Sequence, residues 1–135
     1  SAVDVQDVES IIGKIGHARL AEFSNLILTA DISGALHYIS HLNDGGHNLV
    51  DFNKELIHYW RRLLSLKFDP KLEQVFQREL TKKELDTLKF QSQKIIPEKH
   101  LLFVKSLIRA YGEMRYSPFA IVPLEVAIIE NLKQN

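Results

Sequence analysis

The sequence predicts an all-α fold, and three observations support this class. Apolar residues recur at a spacing of three to four through most segments between Val5 and Leu132. No segment alternates apolar and polar residues for long enough to predict a strand. The length of 135 residues, with 45% hydrophobic and 25% charged residues, is typical of one globular domain. We therefore predict a single compact domain over residues 1–135, built from about six or seven helices.

Four helices are predicted in the first half of the chain. A short amphipathic helix spans Val5 to Gly16, and a second apolar series runs from Leu20 to Ala30. Asp31 offers a side-chain cap for a third helix, which ends at Gly45-Gly46 because glycine accepts the left-handed conformation at a helix C-terminus. Asn48 caps a fourth helix that runs to about Lys67. Its broad apolar face indicates that it is the central helix of the domain.

The second half contains four further helical segments, the first of them short. Asp69-Pro70 restarts a helix after the central one, and Thr81-Lys82-Lys83-Glu84 has the form of a capping box. The helix that follows the capping box has only a thin apolar face. Pro97 opens the next helix, which ends at Tyr116-Ser117-Pro118 because the residue before a proline is disfavoured in the helical conformation. The final helix extends to Leu132, and Pro123 either starts it or bends it one turn in.

Composition excludes several classes of function. Lys plus Arg and Asp plus Glu both number 17, so the net charge is zero and no strong field draws the domain to nucleic acid or to an anionic membrane. The absence of cysteine excludes disulfides and thiolate metal sites. No apolar run reaches the roughly 18 to 20 residues that span a bilayer, and we expect a cytoplasmic protein without membrane contact.

No catalytic, cofactor-binding or metal-binding residues are predicted. His37 and His41 are four residues apart, on one helix face, and His58 or His17 could be proposed as a third metal ligand. This pair alone specifies little, because the chain has no His-Glu-x-x-His pattern. The glycines at 45–46 are followed by His47 rather than by the lysine of a phosphate-binding loop, so ATP binding by this chain is not predicted.

A helical nucleic-acid-binding domain is the alternative function that the sequence leaves open. It would use a local basic patch, either on the central helix or on the segment after the capping box. Acidic residues are interspersed with the bases, which favours a solvated helix face. The bases concerned are Arg61, Arg62, Lys67, Lys82, Lys83, Lys89 and Lys94, and the interspersed acids are Glu79, Glu84 and Asp86.

A protein-protein interface is the function class that the residue types favour. Aromatic and arginine side chains are enriched in interfaces, and four consecutive apolar residues cannot all face one core. The alternative is that these side chains are buried in a corner between helices. The candidate interface residues are Trp60, Arg61, Arg62, Phe119, Ile121 and Val122.

A structural corner is predicted between the last two helices, at Arg115, Tyr116, Ser117 and Pro118. The spacing of the charges around Ser117-Pro118 lets the two helices fold back on each other. We therefore predict that Arg115 forms an ion pair with Glu125 across this corner.

Three segments of the chain resemble one known protein family. Leu101 to Pro118, which ends Glu-Met-Arg-Tyr-Ser-Pro, is similar to a leucine-rich helix that closes in a Leu-Arg-Tyr-Ser-Pro type sequence. Leu124 to Ile129 matches a Leu-Glu-Met-Ala-Leu-Leu helix without a gap, and Asp51 to Leu64 resembles the central helix of the family. The family is the third domain of the gamma and tau subunits of bacterial DNA polymerase III, the collar domain of the sliding-clamp loader.

The resemblance covers almost the whole chain in order, and it implies a non-catalytic role in DNA replication. Collar domains of neighbouring clamp-loader subunits pack side by side into a helical ring. In some relatives they also anchor accessory replication proteins. The resemblance further implies that this chain is a fragment of a longer subunit, whose preceding ATPase and lid domains bind ATP. Direct DNA contact by the collar domain itself is not implied.

Overall fold

The computed structural model describes residues 16–133, and all regular structure in this range is helical. The prediction of an all-α fold is therefore confirmed. The predicted helix from Val5 to Gly16 lies outside the described residues, except for Gly16 itself. The helices are α1 (His17–Leu28), α2 (Ile32–Asp44), α3 (Leu49–Phe68), α4 (Glu73–Phe76), α5 (Lys82–Ser92), α6 (Pro97–Met114) and α7 (Ile121–Leu132), with a 3-10 turn at Pro70–Leu72 between α3 and α4.

The predicted helix starts are confirmed by capping hydrogen bonds. Asp31, Asn48 and Asp69 each accept a hydrogen bond from a backbone amide in the first turn of the helix or 3-10 turn that follows. Thr81 and Glu84 form both hydrogen bonds of a capping box, at 3.1 and 2.9 Å. Side-chain caps therefore define where these elements begin.

The helices stack in four layers. The helix α5 packs on α1 and α3, these two pack on α2 and α6, and α7 covers α2 and α6 from the far side. As a result α5 and α7 do not pack on each other, and they lie at opposite sides of the domain. The central helix is α3, as the sequence predicts, because it packs on α1, α2, α5 and α6.

Trp60 lies at the centre of the core, which corrects its prediction as an interface residue. Its side chain is fully buried. The indole Nε1 donates a hydrogen bond of 3.0 Å to Ser24 Oγ, and the ring packs edge-on against Phe103 at a centroid distance of 4.9 Å. Consecutive helix residues point about 100° apart, so Trp60 faces the core while its neighbour Arg61 is exposed.

Three buried side chains with polar groups join helices across the core. Tyr59 on α3 donates a hydrogen bond to Gln91 on α5, and the Gln91 amide donates in turn to the Ala21 carbonyl on α1 at 2.9 Å. Asn53 on α3 donates to the Leu107 carbonyl on α6 at 3.0 Å. These bonds pair the Tyr59 hydroxyl and the amide donors of Gln91 and Asn53, which would be costly to bury alone, and they link α3 to α5 and α6 and α5 to α1.

His100 is buried beside Trp60 as a neutral side chain. Its Nδ1 accepts a hydrogen bond of 2.8 Å from the Ile96 amide at the start of α6, and its ring lies 5.2 Å from the Trp60 ring. Burial, with a smaller contribution from the charge of Lys99, lowers the pKa of His100 to about 4. The imidazole therefore serves as a helix cap that depends on staying uncharged.

Candidate protein-interaction surface

The helices α6 and α7 form an antiparallel hairpin. After Met114 the chain turns, and Ser117 Oγ accepts a hydrogen bond of 3.1 Å from the Phe119 amide. The final helix begins at Ile121 and contains Pro123 in its first turn, where no backbone amide hydrogen is required. Pro123 therefore belongs to the start of α7 and does not bend it.

One side of α7 is buried against α6 and α2. The buried side chains on this side are Leu124, Ala127, Ile128 and Leu132. A side-chain hydrogen bond of 2.9 Å from Asn131 to Ser106 Oγ links α7 to α6. Packing and this polar contact together fix the position of α7 on the hairpin.

The opposite side of α7 is also apolar but is exposed. Val122, Val126 and Ile129 follow the spacing i, i+4, i+7 and remain 42 to 47% exposed. Phe119, just before the helix, is 70% exposed. We refer to these four side chains as the outer face of α7. A helix that is apolar on both sides normally has neighbours on both sides, and α7 has them on one side only.

The exposed apolar surface of the described residues is concentrated on this hairpin. Eight of the twelve exposed large hydrophobic side chains in the described part of the chain belong to the hairpin. Clustered exposed apolar residues mark interaction sites, whereas single ones are normal. The eight are Leu101, Leu102, Ile108, Tyr116, Phe119, Val122, Val126 and Ile129.

A shallow cleft between α6 and α7 borders the outer face of α7. Its apolar lining includes Pro123 and Val126. The charged lining residues are Arg109, Glu113 and Glu130, and none of the three takes part in the ion pairs found in residues 16–133. The cleft therefore combines an apolar lining with an excess of negative charge. This arrangement is suited to a partner that presents an apolar side chain next to a positive one.

The structure separates the sequence-predicted interface residues into two groups. Phe119 and Val122 are exposed on the hairpin, while Ile121 is half-buried against the core. Arg61 and Arg62 lie on α3, which does not pack on α7. These arginines and the outer face of α7 are therefore not brought together.

Arg62 has partners within the domain. Its guanidinium forms an ion pair of 2.5 Å with Glu79 and lies 5.5 Å from the ring centre of Phe76. One arginine of the basic pair is thus engaged in stabilising the segment between α4 and α5. The lysine-rich α5 likewise has one internal ion pair, between Lys89 and Glu73 at 2.7 Å.

The predicted ion pair between Arg115 and Glu125 is wrong. No ion pair between these two residues occurs, although both are among the described residues. The Arg115 guanidinium instead lies 5.8 Å from the Tyr111 ring centre and 5.7 Å from that of Tyr116. Aromatic faces attract this cation, so the Arg115 side chain finds its partners at the end of α6 and not on α7.

Sequence reasoning missed Val126 and Ile129 as surface residues. Both belong to the apolar pattern of the final helix, which the sequence analysis does not divide into two sides. The signal was present, because Val122, Val126 and Ile129 form a second stripe opposite the buried one. His37, His41 and His58 are exposed, and residues 16–133 contain no group of three side chains that could hold a metal ion.

Comparison with protein families gave one match of nearly the whole chain. The model described as DNA polymerase III subunits gamma and tau domain III matches residues 3–133. Comparisons with curated proteins and with solved structures found no match. Within the described residues, no helix has both the length and the apolarity needed to cross a membrane.

Proposed function

The chain belongs to the family of domain III of the DNA polymerase III subunits gamma and tau, and we propose that it is an oligomerisation domain of the clamp loader. Gamma and tau are clamp-loader subunits that act in DNA replication. In this proposal the domain performs no catalysis and packs against neighbouring clamp-loader subunits in a collar. Accessory replication proteins are a further class of partner, and the cytoplasm is the proposed site of action.

The observation that carries this proposal is the exposed outer face of α7. Its aliphatic side chains are rigidly placed by a helix whose other side is anchored in the core. Covering a half-exposed valine or isoleucine contributes about 1 kcal/mol, so a partner helix that covers the stripe gains several such contributions. A rigid apolar stripe of this kind favours docking against a folded partner rather than chemistry on a small molecule.

The proposed mechanism is the maintenance of subunit order. ATP is bound by the preceding domains of the parent subunit, as the family resemblance implies, and ATP sites between neighbouring subunits require those subunits to stay in a fixed order. A domain that packs sideways through a rigid hairpin holds the assembly together while the ATP-binding domains move. The chain contributes shape and apolar surface to this process and supplies no reacting group.

Competition during clamp-loader assembly tests the proposal. The purified chain is added while full-length gamma or tau subunits assemble with their partners, and the amount of complete complex is measured. We expect wild-type chain to reduce assembly, and Val126→Lys to be at least about tenfold less effective because it places a charge in the apolar contact. Val75→Lys is the matched control, since Val75 and Val126 are 46 and 45% exposed.

Thermal unfolding of both variants checks that the lysine acts on association and not on folding. Both midpoints are expected to stay close to that of the wild-type chain, because each side chain can extend into solvent. Equal competition by Val126→Lys and wild-type chain would contradict the assignment of this surface. No competition by the wild-type chain would contradict the proposed function.

A further inference from the structure

The side of α5 that faces solvent carries one prominent aromatic side chain among charges. Leu85, Leu88 and Gln91 face inward, whereas Lys83, Asp86 and Phe90 are exposed on the opposite side, and Lys94 is exposed in the turn just after the helix. Phe90 is 59% exposed, and the Lys94 ammonium lies 4.4 Å from its ring centre. We refer to Lys83, Asp86, Phe90 and Lys94 as the outer face of α5.

The outer faces of α5 and α7 differ in chemistry as well as in position. They lie at opposite sides of the four-layer stack. The outer face of α5 has an excess of positive charge around one phenyl ring, whereas the outer face of α7 is entirely apolar and borders the cleft with Glu113 and Glu130. Two surfaces of this kind are complementary in charge, and each presents apolar surface.

We propose that the outer face of α5 docks on the outer face of α7 of a second copy of this chain. Phe90 enters the cleft between α6 and α7 of the second copy, against Pro123 and Val126. Lys94, which already lies on the Phe90 ring, is placed beside Glu113 and Glu130 at the cleft. The inference rests on the proposed oligomerisation function and identifies the two contacting surfaces.

Charge distinguishes this arrangement from a symmetric one. The cleft at α7 carries Glu113 and Glu130 against Arg109, so two copies that met through α7 alone would bring two clefts of net negative charge together. The outer face of α5 carries Lys83 and Lys94 against Asp86, so two copies that met through α5 alone would bring two faces of net positive charge together. Like charges placed opposite each other disfavour both symmetric contacts. The head-to-tail contact pairs opposite charges and leaves one α5 face and one α7 face open for further copies.

Site-specific crosslinking tests the orientation, and the chain is suited to it because it contains no native cysteine. Lys94→Cys and Glu130→Cys chains are purified separately, mixed, and treated with a short bifunctional maleimide. We expect a dimer that joins position 94 to position 130 in the mixture, and little dimer in either variant alone. Lys54→Cys, at an exposed site on α3, is mixed with Glu130→Cys as the control and should give no dimer above background.

Sedimentation equilibrium tests the contribution of the aromatic ring. Phe90→Ala is expected to weaken self-association about tenfold, because a buried aromatic anchor commonly dominates an interface. Phe68→Ala is the matched control, since Phe68 is 64% exposed and lies at the end of α3. Equal weakening by the two variants, or no weakening by Phe90→Ala, would overturn the proposed contact.

A charge exchange tests the partners of Lys94. Lys94→Glu and Glu130→Lys should each weaken self-association about threefold, as expected for charges at the border of an interface. A chain that carries both changes should return to within about twofold of the wild-type affinity, because the exchanged charges again attract. Additive weakening in the double variant would contradict the pairing.

The outcomes separate this inference from the proposed function. A wild-type chain that stays monomeric, or that crosslinks equally well through 94–94 or 130–130, overturns the head-to-tail contact. If that chain still competes in clamp-loader assembly, the proposed function stands. Crosslinking from 94 to 130 without competition supports the contact between copies and contradicts the role in the clamp loader.

Discussion

The helices α3 and α7 are both rich in large apolar residues, yet they occupy different environments. On α3, Phe52, Leu56, Trp60 and Leu63 are all fully buried, because α1, α2, α5 and α6 surround this helix. Within the described domain α7 packs mainly on α2 and α6, and its outer face stays exposed. The width of an apolar pattern therefore indicates how much of a helix surface packs against other elements. It does not indicate whether those elements belong to the same domain or to a partner.

The largest difference between the two helices should appear when Trp60 is truncated. Trp60→Ala leaves a large cavity in the core around α3 and removes the hydrogen bond to Ser24. We therefore expect the free energy of unfolding to fall by about 4 kcal/mol. Urea denaturation followed by circular dichroism measures it. Phe119→Ala on the hairpin is the control and should cost less than about 0.5 kcal/mol. A small effect at Trp60 would contradict the central position of α3.

Two neighbouring isoleucines bring the same comparison into one helix. Ile128 is fully buried and Ile129 is 42% exposed. We expect Ile128→Ala to lower the free energy of unfolding by about 3 kcal/mol and Ile129→Ala by less than about 0.5 kcal/mol. The two variants are compared by urea denaturation. In the competition assay the larger effect is expected from Ile129→Ala, provided that both variants are folded. Only Ile129 belongs to the outer face of α7.

Acid should affect the contact between α3 and α6 through His100. Its pKa is about 4 in the folded chain against an ordinary value near 6.5, so the unfolded chain binds the proton more readily between these values. The stabilisation is complete above pH 6.5 and is lost as the pH falls toward 4. We expect the loss to be about 2 to 3 kcal/mol.

A pH series of urea denaturations on wild-type chain and His100→Gln measures this loss. The variant has no titrating group at position 100, so the stability difference between the two chains should shrink as the pH falls from 7 to 4. A constant difference over this range would show that His100 does not titrate as expected. Burial also lowers the pKa of His17, which acts in the same direction and is present in both chains.

The smallest effect is expected at the start of α5, a helix with one thin apolar side. Thr81→Ala removes the hydrogen bond to the Glu84 amide and should cost about 1 kcal/mol in the free energy of unfolding. Thr81→Ser keeps the hydroxyl and should recover most of that loss. Thermal unfolding of the three chains gives the order. Equal stability of all three would show that packing alone determines where α5 begins.

Helix starts were predictable from the sequence because caps act locally. Asn48 and the capping box at Thr81 need only residues two or three positions away, and both were found where predicted. The direction in which each side chain points was harder to predict than the helix starts. Trp60 and Arg61 are adjacent in sequence and were treated as one interface, yet the helix turns one inward and the other outward.

Side-chain contacts were also harder to predict than helix starts, because they depend on the direction in which each residue points. The Arg115 cation could find either a carboxylate or aromatic faces near the corner, and sequence spacing does not decide between them. The structure places the guanidinium near Tyr111 and Tyr116. Similarly, Val126 has the residue type and period of a core position, and it is a surface residue because α7 packs mainly on α2 and α6.

The burial of Trp60 also provides a spectroscopic reporter. It is the single tryptophan of the chain. Its indole is fully buried and lies against the rings of Phe103 and His100, so all tryptophan fluorescence comes from one site at the contact of α3 and α6. The emission should shift to longer wavelength when the domain opens. Docking on the outer face of α7 should leave it nearly unchanged, so a single optical signal distinguishes unfolding from association.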